Sequence, residues 1–183
     1  MVDLGETLDV STAWEWRAWL MANSATASEI WLVYHAKGSG VLSIAYNDAV
    51  DEGPCFGWID CTVKKLAADS RAQRFTPRRP GSTLSEMNKV RLRRLVEAGR
   101  MTPAGLAAAG GVLDELFEVA EDVLTRLQAD EVVWRNFQAF PESYQRIRIG
   151  WIEGARNRPS VFETRLRYFL RMTAQNRRYG MVQ

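Results

Sequence analysis

Cys55 and Cys61, the single histidine His35 and the adjacent carboxylates Asp51 and Glu52 are the groups from which a nucleophile, a metal centre or an acid–base pair would be assembled. A thiol nucleophile at Cys55 needs a base, and His35 lies on a different predicted element with no local signature joining the two. Framed by Pro54 and Phe56, Cys55 reads instead as a buried structural thiol. One histidine and two cysteines cannot complete a zinc tetrahedron without carboxylates, and no close-spaced ligand pair occurs, so no metal is expected. Asp51 and Glu52 are neighbours on a predicted short helix and are expected to face solvent. No Gly-x-Ser-x-Gly elbow, phosphate-cradling glycine loop or dinucleotide fingerprint is present, and no cofactor is expected.

Anion chemistry is better represented. Arg78 and Arg79 sit between Pro77 and Pro80, which restrict their backbone. The helix that follows places Asn88 in line with the apolar residues Leu92, Leu95 and Val96. A buried amide left without hydrogen bonds costs about 1–3 kcal/mol. Two arrangements meet that demand: Asn88 pins the 76–82 loop, or Asn88, Arg78 and Arg100 together line a pocket for an anionic group. A second series, Arg165, Arg167, Arg171, Arg177 and Arg178, belongs to a predicted C-terminal helix. There Arg167, Arg171 and Arg178 oppose Phe162, Leu166 and Phe169, the pattern of a solvated amphipathic helix. Nucleic-acid binding is the rival reading. It is not favoured, because exposed aromatics interleaved with the arginines are missing from the pattern and the whole-chain charge is nearly balanced.

The elements that must position these residues are signalled locally. Thr12 and Glu15 form a capping-box pair that opens a helix to about residue 22. Ile30 to Ala36 and Val41 to Tyr46 read as strands joined by a Lys37-Gly38-Ser39-Gly40 turn, which predicts a hairpin. Asn47 caps a short acidic helix ending near Gly53-Pro54. Trp58 to Leu66 is a third strand, with Trp58, Asp60, Thr62 and Lys64 on one face and Ile59, Cys61, Val63 and Lys65 on the other. Ala72 to Thr76 is a fourth. Helices are predicted from Ser85 to Ala98, from Thr102-Pro103 to Gly110-Gly111, and over 114–128, 131–139, 142–157 and 160–177. The expected class is α+β: a small antiparallel sheet packed with helices, then a helical C-terminal half. The expected division is 1–109 for the sheet-containing core and 110–183 for a helical region packed on it.

Composition fits a globular protein: 46% of residues are hydrophobic and 25% charged, which argues against disorder. Met1 to Asp9 holds Asp3, Glu6 and Asp9 and no basic residue, so neither a secretory n-region nor an arginine-rich transit peptide is expected. No apolar run is long enough for a membrane span. The cysteines are expected as free thiols and the compartment as the cytoplasm. The net charge of +2 conceals blocks: residues 1–70 are acidic, 71–102 basic, 103–141 acidic and 142–183 basic. Either acidic and basic elements pack beside one another, or one basic block forms an anion-binding face.

Several segments in order resemble one family. They are Glu15-Trp16-Arg17-Ala18-Trp19-Leu20 with Asn23, Trp31 to Tyr34, Cys55-Phe56-Gly57-Trp58-Ile59-Asp60, Phe75-Thr76-Pro77-Arg78-Arg79, and Gly99 to Leu106. With Asn88, Trp151-Ile152 and Ala155, they resemble the YdeI/OmpD-associated, or bacteriocin-protection, family over about residues 12–167. Pro54 and Cys61 depart from the family's usual alanine or leucine and glycine. The resemblance implies a bacterial, cytoplasmic protein linked with protection against bacteriocins or antimicrobial peptides, with no established biochemical activity. On that basis a non-catalytic binding role is expected, for an anionic small molecule or peptide group. Trp58, Asp60, Arg78, Arg79, Asn88 and Arg100 are the expected site: arginines for charge-assisted hydrogen bonds, Trp58 as an apolar wall, Asp60 to orient an arginine. A cysteine-dependent enzyme and a nucleic-acid module on the C-terminal arginines are the alternatives. The oligomeric state is not legible in the sequence.

Overall fold

The computed structural model describes residues 4–180; Asp3 of the acidic start lies outside the described residues, as do the other two residues before Leu4 and those after Gly180. Thr7–Asp9 forms β1. The helix α1 (Ala13–Asn23) starts on the predicted capping box: the Thr12 hydroxyl accepts the Glu15 N–H at 3.2 Å, and the Glu15 carboxylate accepts the Thr12 N–H at 2.9 Å. Then come β2 (Ile30–His35), α2 (Tyr46–Cys55), β3 (Trp58–Lys65) and β4 (Ser70–Pro77). After them lie α3 (Glu86–Glu97) and α4 (Pro103–Ala109), the latter capped by the Thr102 hydroxyl, which accepts the Gly105 N–H at 3.2 Å. A 3-10 turn at Gly110–Leu113 leads to α5 (Glu121–Gln128), α6 (Glu131–Ala139), α7 (Glu142–Glu153) and α8 (Pro159–Ala174).

This is the expected α+β class with a helical C-terminal half, but the sheet is mixed. Its order is β1-β2-β4-β3, and the unforeseen strand β1 runs parallel to β2 while the other pairings are antiparallel. The hairpin expected from Ile30–Ala36 and Val41–Tyr46 does not form. With β1 on one side and β4 on the other, β2 has no free edge to offer. Residues 41–45 are irregular instead, held by the Ile44 N–H on the Val10 carbonyl (3.0 Å) and by the Ser43 hydroxyl, which accepts the His35 N–H at 3.2 Å. His35 itself pairs through Nε2 with Asp9 at 2.7 Å.

The alternation predicted along β3 is broken by a bulge. Asp60 pairs with Phe75, but Val63 pairs with Gln73, so β3 contributes one extra residue there. Lys64 consequently faces away from Trp58 and Asp60, and its ammonium lies 4.9 Å from the Trp31 ring centroid. Helix limits differ too. Asn47 is not a cap, because α2 begins at Tyr46 with Ala45 in the cap position and no side-chain cap bond. The helix predicted from 114 starts only at Glu121, and α8 stops at Ala174, so Arg177 and Arg178 are not on it.

The chain divides into two units. One runs up to Ser82 and adds Arg91–Leu113; the other comprises Thr83–Val90 and the chain from Asp114 onward, so the division passes through α3. In the first unit the sheet's inner face (Ile30, Leu32, Phe75, Trp58) is buried with Trp16 and Leu20 of α1 and Val50 and Cys55 of α2. Tryptophan geometry organises it. The Trp16 ring meets Phe75 edge-on at 5.3 Å and donates its indole N–H to the Ala49 carbonyl at 3.1 Å, and Trp19 meets Trp58 edge-on at 5.7 Å. The second unit has its own core, with Phe137, Tyr144, Ile152, Leu166 and Phe169 at its centre. No helix among the described residues is long and apolar enough to cross a membrane.

One glycine is required by contact. A Cβ at Gly105 would stand 2.2 Å from the Cys55 carbonyl oxygen and 2.6 Å from its carbon, backbone atoms that cannot step aside. This close approach lets Thr102 donate both its N–H (3.0 Å) and its hydroxyl (2.7 Å) to that same carbonyl. Gly105→Ala is therefore expected to destabilise the protein by about 3 kcal/mol through overpacking, read as a lower urea midpoint with an unchanged slope.

Candidate functional site

The Cys55–Asp60 motif turns the chain from α2 into β3, and each residue has a separate task. Cys55 is fully buried and donates its thiol to the Asp51 carbonyl at 3.2 Å. Phe56 lies under the Arg17 guanidinium, 5.1 Å from ring centroid to carbon. Gly57 adopts a φ of 78° and accepts the Arg78 N–H on its carbonyl at 2.8 Å. Trp58 is buried and donates its indole N–H to the Ser24 carbonyl at 3.2 Å. Asp60, half-buried on the same face of β3, accepts from the Gln73 amide at 2.8 Å.

The six residues expected to form the site are thus distributed. Trp58 is a core side chain with its polar atom already engaged. The Arg78 guanidinium donates to the carbonyls of Ala108 and Ser82, fastening the 78–82 loop to α4. Arg79 is exposed and contributes its carbonyl to the Ser82 hydroxyl at 2.8 Å. Asn88 belongs to the second unit, where it is half-buried and donates its backbone N–H to the Ser85 hydroxyl at 3.3 Å. Of the apolar residues aligned with it, Leu92 and Leu95 are buried and Val96 is exposed. Arg100 alone of the six enters a concentrated ionic network.

That network is built on the two carboxylates the sequence reading had placed in solvent. Asp51 and Glu52 are 7% and 4% exposed. Glu52 accepts from Arg17 at 2.7 Å and from Arg100 at 2.6 Å. Asp51 accepts from Arg91 Nε at 2.9 Å and from the Arg94 guanidinium, with Arg100 4.0 Å away. Arg17 ties the two ends together by also donating to the Arg100 carbonyl at 3.1 Å. Four guanidiniums thus gather on the two carboxylates. The arrangement is graded: the Arg91 and Arg17 side chains are 17% and 27% exposed, those of Arg100 and Arg94 37% and 49%. Arg94 and Arg100 therefore stand on the solvent side. Helix spacing foretells part of this, since Arg91 and Arg94 lie one turn apart on α3. Nothing local indicates that both acids turn inward.

Burial pushes the Cys55 thiol above its ordinary value, and the Glu52 charge pushes the same way. A buried, protonated thiol is a poor nucleophile. Burial also raises the Asp60 carboxyl, against the opposing effect of its backbone hydrogen bond, the Arg91 charge and the Gln73 amide.

Fold and network together define a mixed-sheet α+β protein whose first unit carries a cation-rich ionic cluster over a buried acidic pair. The chain belongs to the family described as Domain of unknown function (DUF8412), which matches residues 8–108, more than half of the 183. Residues 116–176 match the family described as Bacteriocin-protection, YdeI or OmpD-Associated. The resemblance read in the sequence is thereby supported in the C-terminal part of the chain, while its N-terminal motifs fall in the stretch matched by the first family. No curated protein and no solved structure matches the chain.

Two outcomes follow. Iodoacetamide at neutral pH is expected to label native protein once, at the exposed Cys61, and twice in denaturant, as counted by mass. For Asp60, a raised carboxyl pKa means the folded state holds a proton the unfolded chain has already lost. Stability then falls as pH rises from the ordinary carboxyl range through the raised value. Asp60→Asn keeps an acceptor for Gln73 and removes that loss. It is expected to melt higher than wild type at neutral pH, with the gain vanishing below the ordinary carboxyl range.

Proposed function

We propose that this is a bacteriocin-protection-type protein that binds an anionic group without catalysing a reaction. The ligand is a peptide carboxylate or the phosphate of a small metabolite, held by Arg94 and Arg100 on the solvent side of the Asp51–Glu52 cluster. The observation that carries this reading is the exposure of these two arginines: the buried acids engage them on one side, and the rest of each guanidinium reaches solvent. The carboxylates pre-orient the guanidiniums, so less side-chain freedom is lost when an anion arrives. The inaccessible Cys55 thiol supports a non-catalytic role, and the two free cysteines fit the reducing cytoplasm. Arg78, Asp60 and Trp58 serve this site by bracing the β3 and β4 ends beside it. Protection would then come from sequestering an acidic peptide terminus or a phosphorylated ligand.

The test is calorimetry with inorganic phosphate and with a tripeptide bearing a free C-terminal carboxylate. Wild type is expected to bind one of them saturably, and more weakly as salt rises. Arg94→Gln with Arg100→Gln, each loss removing a charge-assisted hydrogen bond worth about 1.5–3 kcal/mol, is expected to weaken binding at least about ten-fold. Equal affinity in wild type and the double variant, with the fold intact by circular dichroism, would overturn the assignment.

A further inference from the structure

The basic C-terminal block lacks the acidic complement that the first unit's arginines have. Its three acids are already engaged: Glu142 with Arg146 at 2.7 Å, Glu153 with Arg156 at 2.6 Å, and Glu163 with Arg126 at 3.5 Å. Among the described residues, Arg148, Arg165, Arg167, Arg171, Arg177 and Arg178 have no carboxylate partner. Arg148 is only 6% exposed and its Nε has no hydrogen-bond partner. Its guanidinium is surrounded by rings: Tyr179 at 5.0 Å, and Tyr144 and Trp151 each at 5.8 Å.

Those rings continue to the surface. Asn176, at a φ of 51°, ends α8 and turns the chain back. Tyr179 then reaches Tyr144, donating its N–H to that hydroxyl at 3.3 Å, and meets Tyr168 edge-on at 4.7 Å. Tyr168 lines an open pocket of about 540 Å³ with Thr164, Arg167 and Arg171, four positions on one face of α8. The Arg171 guanidinium stands 5.2 Å from the Tyr168 centroid, and the Thr164 hydroxyl, donated to the Ser160 carbonyl at 2.8 Å, keeps its oxygen free to accept. On this face tyrosine rings alternate with arginines that have no carboxylate partner among the described residues.

We propose that this pocket binds a mononucleotide, its phosphate on Arg167 and Arg171 and its base against Tyr168. The site is open, so the ligand is held by its contacts with these side chains rather than by enclosure. Paired guanidiniums match a phosphate's geometry and charge. A tyrosine ring braced edge-on by a second ring is a rigid platform for a planar base. Arg148, one ring removed, adds a buried positive charge that has no carboxylate partner among the described residues. Thr164 accepts from a ribose hydroxyl or a base amino group.

The experiment is calorimetric titration of the full chain with adenosine 5′-monophosphate and uridine 5′-monophosphate. Ribose 5-phosphate, adenosine, inorganic phosphate and a ten-residue single-stranded oligothymidylate serve as comparators. A monophosphate is expected to bind at least about ten-fold more tightly than ribose 5-phosphate or adenosine, since each lacks one of the two contacts. Arg167→Gln with Arg171→Gln should weaken it about ten-fold or more. Tyr168→Leu should weaken the nucleotide and leave ribose 5-phosphate unchanged. The exposed arginine positions keep the variants folded, checked by helical circular dichroism. Nucleotides no tighter than ribose 5-phosphate, or unaffected by the arginine pair, would overturn the proposal. So would an oligothymidylate bound about a hundred-fold more tightly than any monomer, which assigns the face to nucleic acid instead. The Arg94→Gln, Arg100→Gln protein should keep nucleotide affinity, so this proposal and the preceding one fail separately.

Discussion

Two adjacent carboxylates taken out of water constrain the first unit more than any other feature. An unpaired buried carboxylate is prohibitively costly, and removing one partner from a buried pair costs on the order of 3–5 kcal/mol. Asp51 and Glu52 occupy successive positions on α2, and the arginines that meet them, with Arg100 near both, come from three separate segments. Arg17 must come from α1, Arg91 and Arg94 from α3, and Arg100 from the segment leading to α4. Meeting that demand places three segments around α2. It also accounts for part of the opposition between the acidic N-terminal block and the basic 71–102 block, three of whose nine basic residues meet the two acids.

The backbone around this cluster is arranged to hold α2 in place. Its last carbonyl, that of Cys55, accepts two bonds from Thr102, and Gly105 clears the space for that approach. Gly57 reverses the chain and receives Arg78, whose guanidinium then joins the 78–82 loop to α4. Trp16 and Trp58 close the other side, each indole N–H donated to a backbone carbonyl while the ring fills the core. Residues that look like the makings of a site in the sequence are therefore largely engaged in bracing the backbone.

Both units pair arginines with acids and with rings, but the balance differs. In the first, four guanidiniums gather on two buried acids. In the second, several lie against aromatic rings instead, with Arg165 4.5 Å from the Trp151 centroid and Arg148 enclosed by three rings. An acid-backed guanidinium favours a compact anion; a ring-backed one suits an anion joined to a flat group. The family matches divide the chain along similar lines, residues 8–108 and 116–176.

Local signals carried much of the architecture. The Thr12–Glu15 box, the Thr102-Pro103 start, the strands at 58 and 70 and the limits of α6 all follow from caps, proline and periodicity within a few residues. The class and the C-terminal family resemblance were legible for the same reason. What stayed hidden depends on partners far along the chain: Glu52 meets residues 35 and 48 positions away, and Asp51 one 40 away. An acidic pair on a short helix has the same local pattern whether it faces water or four arginines. The parallel strand β1 took the edge that a hairpin would have needed, and the β3 bulge reversed the facing of Lys64 without a marker in composition. By itself, then, the sequence determined most of the helices, three of the four strands and that arginine would dominate the polar chemistry. Tertiary structure alone decided which arginines are spent on internal acids and which reach solvent, because desolvation and charge pairing are settled only when distant segments meet.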